Sequence, residues 1–168
     1  MKRLLIITVC SIFLTGCGSS STDSGVTRGT DTGSFSGTYK GTFELQAIAD
    51  AIGISPKSDK ESGEIEVDIT KNGIVRLTID NSILHGVIDD DGNWELEITI
   101  NDFSSLIDEE SKDTLKTAGC LLGTKFAKIE GQVTPPTMSG AVNGKLSCKV
   151  LFVTLGILEV LGTLTATM

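Results

Sequence analysis

Residues 63–101 read GEIEVDITKNGIVRLTIDNSILHGVIDDDGNWELEITIN, and this stretch decides the fold class. Apolar and polar residues alternate within it: Ile65, Val67 and Ile69 are interleaved with acidic residues, and Trp94 begins a second run of the same kind. A period of two is typical of β-strands that bury one face and expose the other to water. The stretch therefore predicts antiparallel β-structure.

Turn dipeptides separate the alternating runs. Asn72-Gly73, Asp91-Gly92 and Asn143-Gly144 supply the positive φ angles that tight hairpin turns need. Over the whole chain the same reasoning predicts about nine strands, joined mostly as neighbours. They are predicted at residues 37–46, 63–70, 74–80, 83–88, 93–101, 124–133, 137–142, 145–154 and 157–167.

A sheet made of sequential antiparallel strands leaves two open edges, and closure into a barrel removes them. The first predicted strand opens with Gly37-Thr38-Tyr39-Lys40-Gly41-Thr42. This sequence resembles the Gly-x-Tyr-x-Gly-Thr opening of many small exported β-barrel lipoprotein and lipocalin-like domains. We therefore predict an all-β fold of about 8–9 strands, either an antiparallel up-and-down barrel or a barrel-like sandwich.

Two segments depart from the strand pattern. Asp102 is predicted to cap one short helix near residues 103–118, with Gly119 at its end and an irregular apolar side. A second, shorter helix is predicted within residues 47–53.

The N-terminus has the pattern of an export signal. Lys2 and Arg3 precede an apolar run over residues 4–14. A helix of that length rises roughly 16 Å, which is well short of the ~30 Å hydrocarbon layer of a membrane. The run is therefore suited to export and too short to span a bilayer.

Leu14-Thr15-Gly16-Cys17 follows this run, and it resembles the lipobox of bacterial lipoproteins. The resemblance implies a diacylglyceryl thioether on Cys17, cleavage after Gly16, and acylation of the new amino terminus by a fatty acid such as palmitate. Each buried methylene contributes about 0.8 kcal/mol to membrane affinity, so two or three chains anchor a protein firmly. The alternative is an ordinary signal peptide that is cleaved elsewhere.

Composition divides the chain into a signal peptide at residues 1–16, the lipidated cysteine with a tether at 17–34, and one β domain at 35–168. Residues 18–34 are almost entirely Gly, Ser and Thr, with Val26 as the only apolar residue. Such a segment buries too little apolar surface to offset its conformational entropy. A flexible tether is the expectation.

The mature chain is strongly acidic. Removal of residues 1–16 takes away Lys2 and Arg3, which leaves 12 basic against 22 acidic residues and a net charge of −10. An acidic surface repels phosphate backbones, so nucleic acid is not expected as a partner. Gly18 and Ser19 follow the cysteine. In Gram-negative lipoproteins an Asp there favours retention at the inner membrane, so the resemblance implies the outer membrane for a Gram-negative source.

Two cysteines remain in the mature domain, Cys120 and Cys148. In an exported protein two thiols most simply form a disulfide. The alternatives are two buried free thiols or half of a metal site. With one histidine in the chain and no CxxC motif, zinc is not expected.

The sequence offers no catalytic or metal-binding set, and no cofactor is expected. Asp31-Thr32-Gly33-Ser34 matches an aspartic protease motif, but it lies in the predicted tether rather than after an apolar strand. His85 is not expected to be a general base, because the sequence has no Gly-x-Ser-x-Gly motif with a nucleophile for it to activate. The acidic run at residues 89–91 fits a solvated hairpin better than a calcium loop. The acidic stripes at 64–68 and 95–97 fit the wet faces of strands better than a glycosidase pair.

These expectations favour a non-enzymatic, membrane-anchored envelope lipoprotein whose β domain is a binding or structural module. The alternative is a lipocalin-like carrier that holds a small apolar ligand inside the barrel. An eight-strand barrel is either filled by its own side chains or able to hold one ligand. The residues expected to line such a site are Tyr39, Phe43, Trp94, Leu96 and Phe126.

Overall fold

The computed structural model describes residues 25–51, 54–99, 102, 125–150 and 153–168. Eight antiparallel strands form a closed barrel, in which each strand pairs with the next and β8 pairs with β1. The predicted up-and-down barrel is confirmed. The strands are β1 (Gly37–Ala51), β2 (Ile54–Ile69), β3 (Ile74–Ile79), β4 (Ser82–Ile88), β5 (Asn93–Thr99), β6 (Lys125–Thr134), β7 (Thr137–Val150) and β8 (Val153–Thr167).

Two of the three predicted turn dipeptides join strands as expected. Gly73 has a φ of 71° between β2 and β3, and Gly92 has a φ of 84° between β4 and β5. Backbone hydrogen bonds close both turns, from Gly73 N to Thr70 O at 3.1 Å and from Gly92 N to Asp89 O at 3.3 Å. Glycine adopts this left-handed conformation without a steric cost.

The third predicted turn is wrong. Asn143-Gly144 lies inside β7, where Asn143 pairs with Lys128 of β6 on one side and with Leu161 of β8 on the other. Pairing on both sides keeps this dipeptide extended, because a turn here would break two ladders of backbone hydrogen bonds. The two strands predicted at 137–142 and 145–154 are therefore one, and the barrel has eight strands rather than nine.

The short helix predicted at residues 47–53 is also wrong where the structure describes it. β1 continues to Ala51, and Ala47 pairs with both Asp59 and Val160. Alanine favours helices only weakly, and pairing on both sides of the strand outweighs that preference. The partner strand β2 begins at Ile54, well before the predicted start at residue 63.

The strands have unequal lengths, which makes the two ends of the barrel different. β1, β2, β7 and β8 have 14 to 16 residues, whereas β3, β4 and β5 have six or seven. We call the end formed by residues 70–73, 89–92 and 135–136 the turn end. The opposite end, which carries the β1–β2 and β7–β8 hairpins, is the long-strand end.

The helix predicted near residues 103–118 lies outside the described residues. Asp102 is helical; its backbone N donates to Thr99 Oγ1 at 3.2 Å, and its Oδ2 accepts from Thr99 N at 2.9 Å. This reciprocal pair has the hydrogen-bond pattern of a capping box between Thr99 and Asp102.

The barrel interior contains one continuous hydrophobic core. Inward-facing residues alternate with outward-facing ones, as in β3, where Val75, Leu77 and Ile79 are buried. Burial of one such side chain contributes about 1.5–3 kcal/mol to folding. Among the described residues, no helix has the length and apolar character that a membrane span requires.

Candidate functional site

Four of the five residues predicted to line a ligand site have described side chains, and all four are buried on the inner face of the barrel. Tyr39, Phe43, Trp94 and Leu96 have exposed fractions of 0%, 7%, 0% and 1%. They belong to the same packed cluster as the rest of the core. The side chain of Phe126 lies outside the described part of the structure.

Trp94 fills the interior by packing against two glycines on neighbouring strands. A Cβ atom placed on Gly131 would lie 2.6 Å from the indole Nε1, and one on Gly140 would lie 2.6 Å from Cζ2. The indole N–H donates to the carbonyl oxygen of Ser139 at 3.0 Å. The ring therefore occupies space that the absent side chains leave, and its polar atom is already bonded within the barrel.

Phe43 also packs against a glycine, and Tyr39 is held by a hydrogen bond. A Cβ atom on Gly63 would lie 2.8 Å from Phe43 Cε1. The Tyr39 hydroxyl donates to Phe35 O at 3.0 Å, and burial raises the pKa of Tyr39 above its ordinary value of 10.0. An apolar ligand at this position would have to displace closely packed core side chains.

Residues 28–35, which we call the strap, close the turn end of the barrel. Gly29 N donates to Ile88 O at 2.8 Å, and Arg28 Nε donates to Asn72 O at 2.5 Å. Thr32 is fully buried and donates through Oγ1 to Thr70 O at 3.1 Å. The expectation of a flexible tether does not hold for these residues, since they bind two hairpin turns.

The acidic run at residues 89–91 organises this contact. Asp89 Oδ1 accepts from the backbone N–H groups of Asp91 and Asn93 at 2.9 Å and 2.8 Å. Asp90 Oδ1 accepts from the backbone N–H of Asp31 at 2.7 Å. These carboxylates thus hold the hairpin and the strap, as the hairpin interpretation favoured. Within the described ranges, no group of three or more His, Cys, Asp or Glu side chains is arranged to hold a metal ion.

The acidic stripes on the outer wall take part in ion pairs. Lys128 Nζ lies 2.7 Å from Glu95 Oε2 and 2.5 Å from Glu130 Oε1. Hydrogen bonding to Glu130, and then to Glu95, raises the pKa of Lys128. On a separate part of the wall, between β1 and β2, Lys40 Nζ lies 3.2 Å from Glu66 Oε2. Glu95 and Glu66 are therefore held in contact with cations on adjacent strands.

Glu95 also marks the path of the chain before the strap. Its side chain is only 13% exposed, although it lies on the outer face of β5. A Cβ atom on Gly25 would lie 3.3 Å from Glu95 Oε1. The chain therefore passes along the outer wall at Gly25 before it turns under the barrel at the strap.

The single histidine, His85, and Cys148 lie on different strands of the barrel. His85 is exposed on β4, where it pairs with Arg76 of β3. Cys148 is buried on the inner face of β7 and is disulfide-bonded. Cys17 and Cys120 lie outside the described residues, so the pairing of Cys120 with Cys148 stays a prediction.

Two open grooves lie on the outer wall, with volumes of about 600 Å³ and 460 Å³. Both are lined in part by Leu161, whose side chain is 43% exposed. Charges of both signs surround the larger groove, where Lys145 Nζ lies 2.7 Å from Glu159 Oε1. Neither these grooves nor the strap is predicted from the sequence. Leu161 was visible as an apolar residue on the polar side of β8, but nothing in the composition marked the strap.

A scan against protein-family models gives no match for this chain, and a search of curated proteins finds no significantly similar sequence.

Proposed function

We propose that the chain is a bacterial envelope lipoprotein, anchored by lipid on Cys17, whose barrel is a non-enzymatic binding or structural module. The observation that carries the proposal is the lipobox Leu14-Thr15-Gly16-Cys17 after a short apolar run. Its position also suits an anchor, because Cys17 precedes the exposed Gly25 by only eight residues.

The contacts of the acidic side chains support a binding or structural module rather than an enzyme. The side chains that first invite a catalytic or metal-binding role, Asp89, Asp90 and Glu95, are engaged in hydrogen bonds or ion pairs with their own chain. Groups that act on a substrate are commonly held with altered pKa values inside a cleft. Here they stabilise a hairpin, the strap and the wall.

The packed interior favours the module over the carrier. Tyr39, Phe43, Trp94 and Leu96 are buried against other core residues, and the rings of Phe43 and Trp94 lie close to glycines on nearby strands. Native mass spectrometry of the mature chain distinguishes the two functions: a retained apolar ligand would favour the carrier, and the bare protein mass is expected of the module.

Metabolic labelling with an alkyne fatty acid tests the anchor. The wild type and Cys10→Ala are expected to carry label, because Cys10 lies in the segment that is removed. Cys17→Ala is expected to lose the label and to be recovered without the lipid mass. Label that persists on Cys17→Ala would contradict the proposal.

Further proposals follow from the same resemblance and from charge. With Gly18 and Ser19 after the anchor, we assign the protein to the outer membrane if the source is Gram-negative. The acidic mature chain disfavours nucleic acid as a partner. The proposed partner of the chain is therefore the membrane, which it contacts through the lipid on Cys17.

A further inference from the structure

The strap determines how far the barrel can move from its anchor. Residues 28–32 are hydrogen-bonded to the two turns at 70–73 and 88–90, and Gly25 lies against the wall beside Glu95. The described chain therefore meets the barrel wall at Gly25, ten residues before Phe35. Eight residue steps separate Cys17 from Gly25.

That length is short compared with the barrel. Eight residues span at most roughly 28 Å when fully extended. β1 has 15 residues; at about 3.3 Å per residue and a tilt of about 40°, it covers roughly 35 Å of the barrel axis.

Gly25 lies near the turn end, because its neighbour Glu95 is the third residue of β5 and that strand starts at this end. An inverted barrel, with its long-strand end on the bilayer, would hold Gly25 roughly 30 Å above the lipid. This height exceeds the roughly 28 Å that the eight residue steps from Cys17 to Gly25, which we call the leash, can span at most. The upright orientation, with the turn end down, requires almost no extension.

We propose that the strap makes the turn end, rather than the long-strand end, the membrane-proximal end of the barrel. This inference rests on the proposed lipid anchor at Cys17 and adds the orientation of the barrel to it. The leash, rather than adhesion to headgroups, sets the orientation. The turn end carries Asp31 and the three aspartates at 89–91 against Arg28 and Lys71, a balance that anionic lipids do not attract.

The test uses the mature chain, with its disulfide intact, coupled through the Cys17 thiol to a maleimide lipid in vesicles of phosphatidylcholine and phosphatidylglycerol. A dye is placed on an unnatural side chain at position 71, in the turn end, or at position 55, near the start of β2. Lys71 and Ser55 are both exposed. A quencher on the lipid headgroup is expected to reduce the emission at position 71 at least twofold more than at position 55.

A matched variant with 16 Gly and Ser residues inserted after Ser20 lifts the constraint and is expected to abolish the difference between the two positions. Equal or stronger quenching at position 55 with the native leash would overturn the proposal. A difference that survives the insertion, or quenching of the uncoupled chain on the same vesicles, would overturn it too, because the barrel surface would then set the orientation. The chemical coupling makes this result independent of whether cells lipidate Cys17, which the labelling experiment decides.

Discussion

Gly29 is the residue on which the strap depends. A Cβ atom at this position would lie 2.7 Å from Thr32 Cγ2 and 2.8 Å from the backbone carbonyl carbon of Asp89, and it would also collide with Asp90 Oδ1. The backbone atoms of the hairpin cannot move aside without breaking its hydrogen bonds. Gly33, four residues later in the same strap, has no atom within 4 Å of such a Cβ.

Gly29→Ala is therefore expected to destabilise the protein by about 1–3 kcal/mol through overpacking, and to expose the bond after Arg28 to trypsin. Gly33→Ala is the matched control, and its stability is expected to stay within about 0.5 kcal/mol of the wild type or to rise slightly. Denaturation followed by the fluorescence of Trp94, the single tryptophan, measures both. Equal stability and equal protease resistance of the two variants would contradict the role of the strap.

Tyr39 links the core to the strap through its hydrogen bond to Phe35 O. Burial raises its pKa, so the neutral phenol is favoured in the folded state. A group of this kind supports folding fully below its unfolded pKa, and that contribution is lost as the pH rises through the folded pKa. Stability is therefore expected to fall above about pH 10.

The chain has one tyrosine, so phenolate absorbance reports on Tyr39 alone. The midpoint of the titration is expected at a higher pH in the native protein than in denaturant. Tyr39→Phe is expected to remove this part of the alkaline loss of stability. Coincident midpoints in the native and denatured protein would contradict the burial argument.

The turns that depend only on their own residues could be predicted from the sequence. The turn prediction failed where pairing with neighbouring strands determines the backbone conformation. Asn72-Gly73 and Asp91-Gly92 form turns because their glycines take positive φ angles and the hairpins close on themselves. Asn143-Gly144 has the same local signal, but strands on both sides pair with it. Backbone pairing partners are not visible in a dipeptide.

The strap is a second case in which distant contacts, rather than local composition, determine the structure. Its composition predicted a flexible segment, because apolar burial is the usual compensation for ordering a chain. Its order comes instead from backbone hydrogen bonds, such as Gly29 N to Ile88 O, and from the burial of Thr32. Acceptors on two distant turns create that site only after the barrel has folded.

The disulfide of Cys148 ties β7 to a segment outside the described residues. If Cys120 is the partner, as predicted, the crosslink stabilises the fold by about 3 to 4 kcal/mol in the chain-entropy model. Cys120→Ser, Cys148→Ser and the double variant are then expected to lose the same stability. Peptide mapping without reduction identifies the partner directly, and an intact free thiol at Cys120 would contradict the pairing.

For the whole molecule, closure of the barrel was predictable because sequential antiparallel strands leave edges that need covering. The inward orientation of Tyr39, Phe43, Trp94 and Leu96 was also predictable from the period of two. Whether those residues face a cavity or one another could not be predicted, because it depends on glycines of the next two strands, Gly131 and Gly140, which only the strand register places beside Trp94.

The central claim is that one sulfur atom, Cys17 Sγ, carries the lipid that holds this barrel in the envelope. Intact mass and N-terminal fragmentation of the protein extracted from membranes test it most directly. We expect a mature chain that begins at Cys17, carries a diacylglyceryl thioether and is acylated on its α-amine. A chain that begins at any other residue, or an unmodified Cys17, would contradict it.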